Sequence, residues 1–233
     1  MWIVTFGEIM CRLASTGNLR LRQARGLDVT YAGAEASVAA SVCNFGGSAR
    51  YVTALPEHAI AEATMDALRA VGIDTRFIVR TESGRLGLYF LETGANQRPS
   101  NVIYDRADSA VSITPADKYD WKAIFDGAQW LHISGITPAL SKVAAEATLE
   151  AAKKAKTAGA QVSIDLNFRK KLWRWDSSKT ARQLAEETMR GILPFIDVVI
   201  ANEEDCADVL NIHAGDTDVH SGKLNTERYP DVA

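Results

Sequence analysis

Three segments of the chain carry residue types from which a binding site for an anionic small molecule can be built. Gly33 lies in a turn directly before an amphipathic helix, in the segment YAGAEASVAASV. Because the side chain of glycine is a single hydrogen, backbone N–H groups at such a turn can approach a polar ligand closely. Arg106 and Arg169 lie in VIYDRADSA and SIDLNFRKKLW, and a planar guanidinium binds a carboxylate or phosphate through two parallel hydrogen bonds. A glycine turn alone is more often purely structural, but the three segments together predict an anionic ligand.

The elements that must position these residues alternate between strand and helix. From Trp130 onward, the strand patterns WLHIS, QVSIDL and DVVIA alternate with helical patterns at about 141–157, 178–192 and 203–210. The apolar strand WIVTF, a helix at 34–45, the strand ARYVTAL and a helix closed by Gly72 precede them. This order predicts an α/β fold, with a doubly wound, mostly parallel sheet and helices on both faces.

Three further segments alternate between apolar and polar residues, as half-exposed strands do. They are LDVTY, LGLYFLE and NVIYDR. Because ordinary strand and helix patterns separate them along the chain, we expect these strands to join into a second, smaller sheet. The sequence thus predicts one domain over residues 1–233, with the strands of the small sheet inserted at about 10–32 and 85–108.

Polar residues follow the predicted strands of the main sheet at the points where these strands end. In open parallel sheets, ligands bind beyond the carboxyl ends of the strands, so these residues are candidates for a site. They are Gly7, Glu8, Ser134, Gly135, Asp165, Asn167, Arg169, Asn202, Glu203, Glu204 and Asp205.

The composition argues against several classes of function. Lys and Arg total 26 against 29 Asp and Glu, which gives a formal net charge of −3 and no basic surface for nucleic acid. No apolar run has the length of a membrane span, and the first residues, MWIVTFGEIM, lack the features of a signal peptide. Cys11, Cys43 and Cys206 form no CxxC pair, which fits a reducing compartment and argues against structural zinc. We therefore predict a cytoplasmic protein without nucleic-acid or membrane partners.

Seven segments resemble, in order and spacing, the ribokinase-like (phosphofructokinase-B) family of sugar kinases. They are FGEIMCRL, YAGAEASVAASV, LGLYFLE, VIYDRADSA, HISGITPAL, DLNFRKKLW and ANEED. The segments that contain Arg106 and Arg169 are most similar to the subgroup that phosphorylates the keto acid 2-keto-3-deoxygluconate. The resemblance implies a ribokinase-like fold in which the small sheet is a lid over the sugar. It also implies ATP and Mg²⁺ as cofactors and transfer of the ATP γ-phosphoryl group to the 6-hydroxyl of the sugar acid.

The resemblance also implies roles for individual residues. Six of them would bind the substrate: Gly33, Ala34, Tyr89, Tyr104, Arg106 and Arg169. The two arginines would hold the carboxylate, which agrees with their chemistry because a neutral hexose needs no cationic donor. Asn202 and Asp205 match the family element that shapes the magnesium and phosphate region, with Asp205 as the metal ligand. The family has Glu where this chain has Asp205, whose side chain is one methylene shorter.

Two other features depart from the family pattern. Ser37 stands where the first family signature usually has Asn, so an amide donor and acceptor is replaced by a hydroxyl. The second signature, Asp-Thr-x-Gly-Ala-Gly-Asp, occurs nowhere in residues 1–233. In the family its last Asp is the general base and its glycine turn binds the transferring anion.

These departures decide what we expect of catalysis by this chain. We expect no catalytic residue within residues 1–233, with the general-base Asp located beyond Ala233. We expect the chain to lack the C-terminal part of the fold, since the second signature is missing. Because the base and the glycine turn of this signature supply essential charge stabilisation, we also expect the chain to be inactive by itself.

Several alternatives remain open from the sequence. The protein could be a kinase for another sugar, such as fructose or ribose, or a non-catalytic sugar-binding or dimerising relative. Tyr89 and Tyr104 could be an ordinary cross-strand pair, and the acidic residues 203–205 could only stabilise a helix N-terminus. The polar stretch 211–233 shows no strand pattern. The half-exposed strands of the small sheet need cover, so we expect a homodimer formed through that sheet.

Overall fold

The computed structural model describes residues 1–213 and residue 215. Eleven strands form within these residues: β1 Trp2–Phe6, β2 Met10–Ser15, β3 Leu27–Ala32, β4 Ser48–Val52, β5 Ala54–Pro56, β6 Val79–Thr81, β7 Gly87–Glu92, β8 Asn101–Asp105, β9 Ala128–Ser134, β10 Gln161–Asp165 and β11 Val198–Ile200. Eight α-helices connect them: α1 Ala34–Asn44, α2 Ala59–Ala70, α3 Ala110–Ile113, α4 Trp121–Phe125, α5 Ile136–Leu140, α6 Lys142–Thr157, α7 Ala181–Ile192 and α8 Glu203–Leu210.

Most of the stretch 211–233, including Ala233, lies outside the described residues. The location of the general-base Asp beyond Ala233 therefore stays a prediction, and so does the absence of a strand from this stretch.

The main sheet is fully parallel and has the strand order β11-β10-β9-β1-β4. The chain starts in β1, continues to β4 on one side, and later builds β9, β10 and β11 on the other side. The neighbouring strands β1 and β9 are therefore the point at which the winding direction reverses. This arrangement confirms the predicted α/β fold with a mostly parallel sheet and a small second sheet.

Both faces of the main sheet are covered by helices. Along β4, Ala49 and Tyr51 belong to one buried apolar cluster, whereas Val52 belongs to another. Because alternate residues of a strand point to opposite faces, the two clusters lie on opposite sides of the sheet. Helix α1 packs on β1 and β4 in the first cluster, and α6 packs on β9 and β10 in the second.

The second sheet has the order β3-β2-β7-β8, and all four strands lie within the two predicted insertions. Strand β2 pairs antiparallel with β3 and parallel with β7, and β7 pairs antiparallel with β8. The sequence pattern predicts three of these strands but not β2, because its sequence MCRLAS does not alternate regularly between apolar and polar residues. That the small sheet works as a lid stays a prediction.

Two further details differ from the sequence prediction. The segment ARYVTAL forms two strands, because β5 leaves the main sheet to pair with β6 in a separate two-stranded sheet. The sequence pattern does not predict the short helices α3, α4 and α5, since four or five residues are too few to show a helical period. Within the described residues, no helix has both the length and the apolar character needed to cross a membrane.

Candidate functional site

A cavity of about 440 Å³ opens at the carboxyl ends of the main-sheet strands. Glu8, which follows β1, and Ile136, which follows β9, line it, and so does Arg169 beyond β10. Met10 and Tyr104 contribute from the second sheet. The cavity thus lies between the two sheets, where the winding of the main sheet reverses. Open parallel sheets bind their ligands at this point.

A larger depression of about 810 Å³ lies at the other end of the main sheet. Gly127 and Ala158, which line it, stand just before β9 and β10 respectively. Because ligand sites in such sheets lie at the carboxyl ends of the strands, the smaller cavity is the candidate site.

Gly33 and Ala34 form the floor of the cavity at the start of α1. Gly33 is extended, and a Cβ atom added to it would lie 2.2 Å from the carbonyl oxygen of Glu8. The two backbones therefore approach so closely that only glycine fits at this position. The Ser37 hydroxyl donates a hydrogen bond to the Gly33 carbonyl oxygen at 2.8 Å, so this hydroxyl is used within the helix.

Arg106 and Arg169 both line the cavity, Arg106 at the end of β8 and Arg169 in the loop after β10. Arg169 is exposed, and one of its guanidinium nitrogens donates to the carbonyl oxygen of Phe168 at 3.2 Å. Arg106 is largely buried and forms an ion pair with Glu8, a contact that the sequence analysis did not anticipate. Burial raises the pKa of Glu8, and the positive charge of Arg106 opposes that rise.

Tyr89 and Tyr104 are directly opposite each other on β7 and β8. Their ring centroids are 5.8 Å apart, which is the cross-strand packing that the sequence left open as an alternative. Tyr104 lines the cavity and is 57% exposed, whereas Tyr89 is half-buried beside it and does not line the cavity. The Arg106 guanidinium lies 5.6 Å from the centroid of the Tyr104 ring. A direct contact of Tyr89 with a substrate stays a prediction.

Asn202 and Asp205 hold the loop that follows β10. The Asn202 side chain caps α8 by accepting a hydrogen bond from the Asp205 N–H at 2.7 Å. Asp205 Oδ1 accepts a hydrogen bond from the backbone N–H of Phe168 at 3.0 Å. The chain reaches Phe168 through Asn167, whose φ of 38° lies in the left-handed region that Asn tolerates better than most residues. These contacts fix the direction in which Arg169 leaves the sheet.

The predicted role of Asp205 as a metal ligand is not visible from the geometry. In the part of the chain that the structure describes, no group of three or more His, Cys, Asp and Glu side chains is placed to share a metal ion. Burial raises the pKa of Asp205, while its hydrogen bond from Phe168 lowers it. A magnesium contact of Asp205 therefore stays a prediction, and the loop contact is what the structure assigns to it.

We expect Asp205→Ala to lower the free energy of unfolding by about 1–2 kcal/mol, because the Phe168 amide loses a half-buried acceptor. Hydrogen exchange at the Phe168 amide should accelerate, since that amide would open more often. In Asp205→Asn the amide oxygen can still accept this hydrogen bond, so loop protection should be retained. If Asp205→Asn keeps that protection but abolishes kinase activity in the complete protein, a metal role for Asp205 is supported over a purely structural one.

Glu35, a fully buried acid that lines the cavity at its floor, was not predicted from the sequence. Its Oε1 accepts hydrogen bonds from the hydroxyls of Ser134 at 2.6 Å and Thr137 at 3.2 Å. Its carboxyl group also packs against Gly7, where an added Cβ would lie 2.2 Å from Cδ. Burial raises the pKa of Glu35, and the hydrogen bond from Ser134 opposes the rise. An acid in the otherwise small and apolar segment AGAEASVAA was the signal that could have revealed it.

Through these contacts Glu35 links three elements that border the cavity. It lies in the first turn of α1, Gly7 follows β1, and Ser134 ends β9. The Ser134 hydroxyl also accepts a hydrogen bond from the backbone N–H of Ile136 at 3.2 Å, at the start of α5. The floor and one wall of the cavity are thus fastened to the same buried side chain.

Comparison with known proteins gives consistent matches along the chain. A family profile described as pfkB family carbohydrate kinase matches residues 2–226. The 2-dehydro-3-deoxygalactonokinase of Haloferax volcanii is 38% identical over 210 residues, which are 90% of this chain and 63% of that protein. Fructokinase-1 of Zea mays is 28% identical over 218 residues, which are 93% of this chain and 65% of that protein.

Among solved structures, a 2-dehydro-3-deoxygluconokinase from Thermotoga maritima superposes with a TM-score of 0.89 at 43% sequence identity. The match covers 100% of this chain and 67% of the Thermotoga chain. The chain therefore spans about two thirds of the length of the relatives that it matches.

Proposed function

Because the chain belongs to the pfkB family of carbohydrate kinases, we propose that the protein phosphorylates a sugar acid at the cavity between the two sheets. The proposed substrate is 2-keto-3-deoxygluconate, also named 2-dehydro-3-deoxygluconate. The proposed reaction transfers the γ-phosphoryl group of ATP to the 6-hydroxyl. The similar proteins from Haloferax and Thermotoga, which carry the names of kinases for 2-dehydro-3-deoxy sugar acids, support this choice.

The observation that carries the proposal is the positive charge at one side of the cavity. Arg169, Lys170 and Lys171 line it in succession, and Arg106 lines it from the second sheet. A carboxylate needs cationic donors, whereas a neutral ketose needs only hydroxyl and amide partners. We propose that Arg169 binds the carboxylate, that Arg106 assists it from its pair with Glu8, and that the Gly33 and Ala34 backbone supports the sugar chain.

Phosphoryl transfer depends mainly on alignment of the hydroxyl and on neutralisation of charge. We propose that the described residues align the sugar, through the floor at Gly33 and the loop that carries Arg169. The general base that accepts the proton of the hydroxyl is proposed to be an Asp beyond Ala233. The complete protein is therefore the molecule to assay.

ATP and Mg²⁺ are the cofactors proposed from family membership. Mg²⁺ is usually bound by one or two carboxylates together with the phosphates of the nucleotide, and Asp205 could supply one carboxylate of this kind. In the structure Asp205 Oδ1 accepts a hydrogen bond from the Phe168 amide.

The proposal is tested by measuring kcat/KM of the complete protein with ATP and each of four acceptors. The acceptors are 2-keto-3-deoxygluconate, 2-keto-3-deoxygalactonate, fructose and ribose. We expect the two sugar acids to be phosphorylated at least about a hundredfold more efficiently, because a neutral sugar forms no charge-assisted hydrogen bond with the cationic donors of the cavity. The match to the maize fructokinase makes fructose the second candidate, and a preference for fructose would overturn the sugar-acid proposal.

We also propose that the protein is a cytoplasmic homodimer joined through the second sheet. On the face of this sheet away from the cavity, Val29, Leu13, Phe90 and Ile103 form one cross-strand row. Val29 and Ile103, at the two ends of the row, are 54% and 50% exposed. Leu13, in the middle of the row, packs against an apolar cluster of the main domain, so the exposed apolar surface is confined to the two ends of the row. Exposed apolar side chains on a sheet are typical of a surface that another subunit covers.

If this row is the dimer contact, Ile103→Asp should convert the dimer to a monomer, because a charge would be buried without a partner. Sedimentation velocity over a range of protein concentrations measures the change. Phe45→Asp is a matched control, since Phe45 is 91% exposed and lies after α1, away from the second sheet. The parent protein sedimenting as a monomer at all concentrations would contradict the proposal.

A further inference from the structure

Among the residues that the structure describes, Arg12 is a half-buried arginine without a partner for its charge. It lies in the middle of β2, and its buried Nε has no hydrogen-bond acceptor. Among residues 1–213 and 215, its guanidinium group makes neither a hydrogen bond nor an ion pair. Partial burial of an unpaired cation costs free energy, so a protein that retains one commonly pairs it with an anion in a bound state.

The side chain of Arg12 lies on the face of the second sheet that covers the cavity. Met10, two residues earlier in β2, lines the cavity, and alternate residues of a strand share a face. Cys11 and Leu13, on the other face, pack against the apolar cluster beneath the sheet. Two residues along a strand are separated by about 7 Å, a distance that an arginine side chain can span.

A continuous row of side chains connects Arg12 to the cavity wall. Arg12 is opposite Tyr89 on β7, and Tyr89 is opposite Tyr104 on β8. Burial raises the pKa of Tyr89, and the positive charge of Arg12 opposes that rise. In this row Tyr89 therefore stands between Arg12 and Tyr104, and its ring packs on that of Tyr104.

The other arginine on this side of the cavity is already neutralised. Arg106 is paired with Glu8, and the side chain of Glu8 is 2% exposed, so this pair is shielded from solvent. The charge of Arg106 at the cavity wall is therefore compensated, whereas Arg12, which lies two residues beyond Met10 and does not itself line the cavity, keeps an uncompensated charge among the described residues. Arg169 supplies positive charge from the opposite wall.

We propose that Arg12 is a specificity-determining residue that binds the carboxylate of the sugar acid from the second sheet, opposite Arg169. The inference rests on the proposed function, since it takes the ligand to be a sugar acid. Arg12 would be a third arginine of the site, and Tyr89, opposite it on β7, would hold its side chain in position. The Glu8–Arg106 pair then fixes the position of Arg106 rather than providing most of the charge that selects an acid.

The test compares two ligands that differ only in the charged group. Calorimetry on the complete protein gives the dissociation constants of 2-keto-3-deoxygluconate and of 3-deoxyfructose, in which a hydroxymethyl group replaces the carboxylate. In Arg12→Leu we expect the dissociation constant of the acid to rise about tenfold or more, and that of the neutral sugar to change less than about threefold. The thermal midpoint should stay equal or rise, because an unpaired, half-buried cation is removed. If the role of Arg12 were purely structural, Arg12→Leu would lower the thermal midpoint instead.

Two variants serve as controls. Arg22→Leu removes an exposed arginine between β2 and β3 and changes the net charge by the same amount as Arg12→Leu. It should change the dissociation constant of neither ligand. Arg12→Lys should restore part of the binding of the acid, since it keeps the charge but loses the planar fork. An equal loss for both ligands, or no loss for the acid in Arg12→Leu, overturns the role of Arg12 and leaves the kinase proposal intact. Failure of the parent protein to bind the acid overturns the proposed function and this inference together.

Discussion

Replacement of Arg169 by alanine is expected to lower kcat/KM for 2-keto-3-deoxygluconate by about thirty- to a hundredfold, as loss of a charged hydrogen-bond donor to a carboxylate does. The same change should leave kcat/KM for fructose nearly unaltered, because fructose offers no carboxylate to bind. Arg169 is exposed, and within the described residues its guanidinium donates a hydrogen bond to the neighbouring carbonyl of Phe168 and acts on Asp205 through its charge, so its removal should disturb the fold little. Steady-state kinetics of the complete protein with both sugars measures the difference.

Arg174→Ala is the matched control for this prediction. Arg174 is exposed in the same segment after β10, but it does not line the cavity. We expect its removal to change neither kinetic constant by more than about twofold, since an exposed charge away from the ligand is screened by solvent. If Arg169→Ala and Arg174→Ala have equal effects, or if Arg169→Ala lowers activity on fructose as strongly as on the acid, Arg169 does not read the carboxylate.

Replacement of Glu35 by alanine is expected to lower the free energy of unfolding by about 3–5 kcal/mol. The change removes a fully buried side chain and leaves the hydroxyls of Ser134 and Thr137 without their acceptor. It also unfastens the start of α1 from the end of β9, so the floor of the cavity should lose its fixed position. Denaturant unfolding measures the stability, and ligand binding at low temperature measures the effect on the cavity.

Glu35→Gln is the matched variant, because its amide oxygen can accept the same two hydrogen bonds. We expect it to stay within about 1 kcal/mol of the parent at neutral pH. If Glu35→Gln destabilises the protein as much as Glu35→Ala, the negative charge of Glu35, rather than its hydrogen bonds, is what the fold requires.

The pH dependence of stability gives a second test of Glu35. Burial raises the pKa of this acid above its ordinary value of 4.5, so between that value and its folded pKa the native state binds more protons than the unfolded state. The stability that Glu35 contributes is therefore complete below pH 4.5 and decreases as the pH rises through the folded pKa. Glu35→Gln cannot titrate, and the parent minus variant difference in unfolding free energy should decline with rising pH. A difference that does not change with pH would show that Glu35 has the same pKa in both states.

Much of the fold could be predicted because its signals are local. Each apolar run of β1, β9 and β10 and each helical period of α1, α6 and α8 is contained in one short segment of the sequence. The structure has all six elements where these patterns indicated. Strand β2 was not predicted because its sequence carries no such local signal. Its residues are buried against a core on one side and a cavity on the other, so no regular alternation marks it.

The candidate site was predictable only in part. Gly33, Arg106 and Arg169 could be found because their residue types carry a chemical meaning by themselves, and all three border one cavity. No local pattern indicates that Glu8 would be the partner of Arg106, which lies 98 residues further along the chain. No local sequence pattern around Arg12 indicates that its charge lacks a partner among the described residues.

The sequence by itself determined the order of strands and helices, the parallel sheet, and the kinds of group available at the carboxyl ends of its strands. These follow from periodicity, from turn residues and from the rule that parallel strands end at one edge. Only the tertiary structure decided which charges are neutralised and which are not. Pairing between Glu8 and Arg106, and burial of Glu35 against Ser134, depend on how distant segments meet when the two sheets pack. Electrostatic interactions act over a few ångströms in space, so sequence separation does not reveal them.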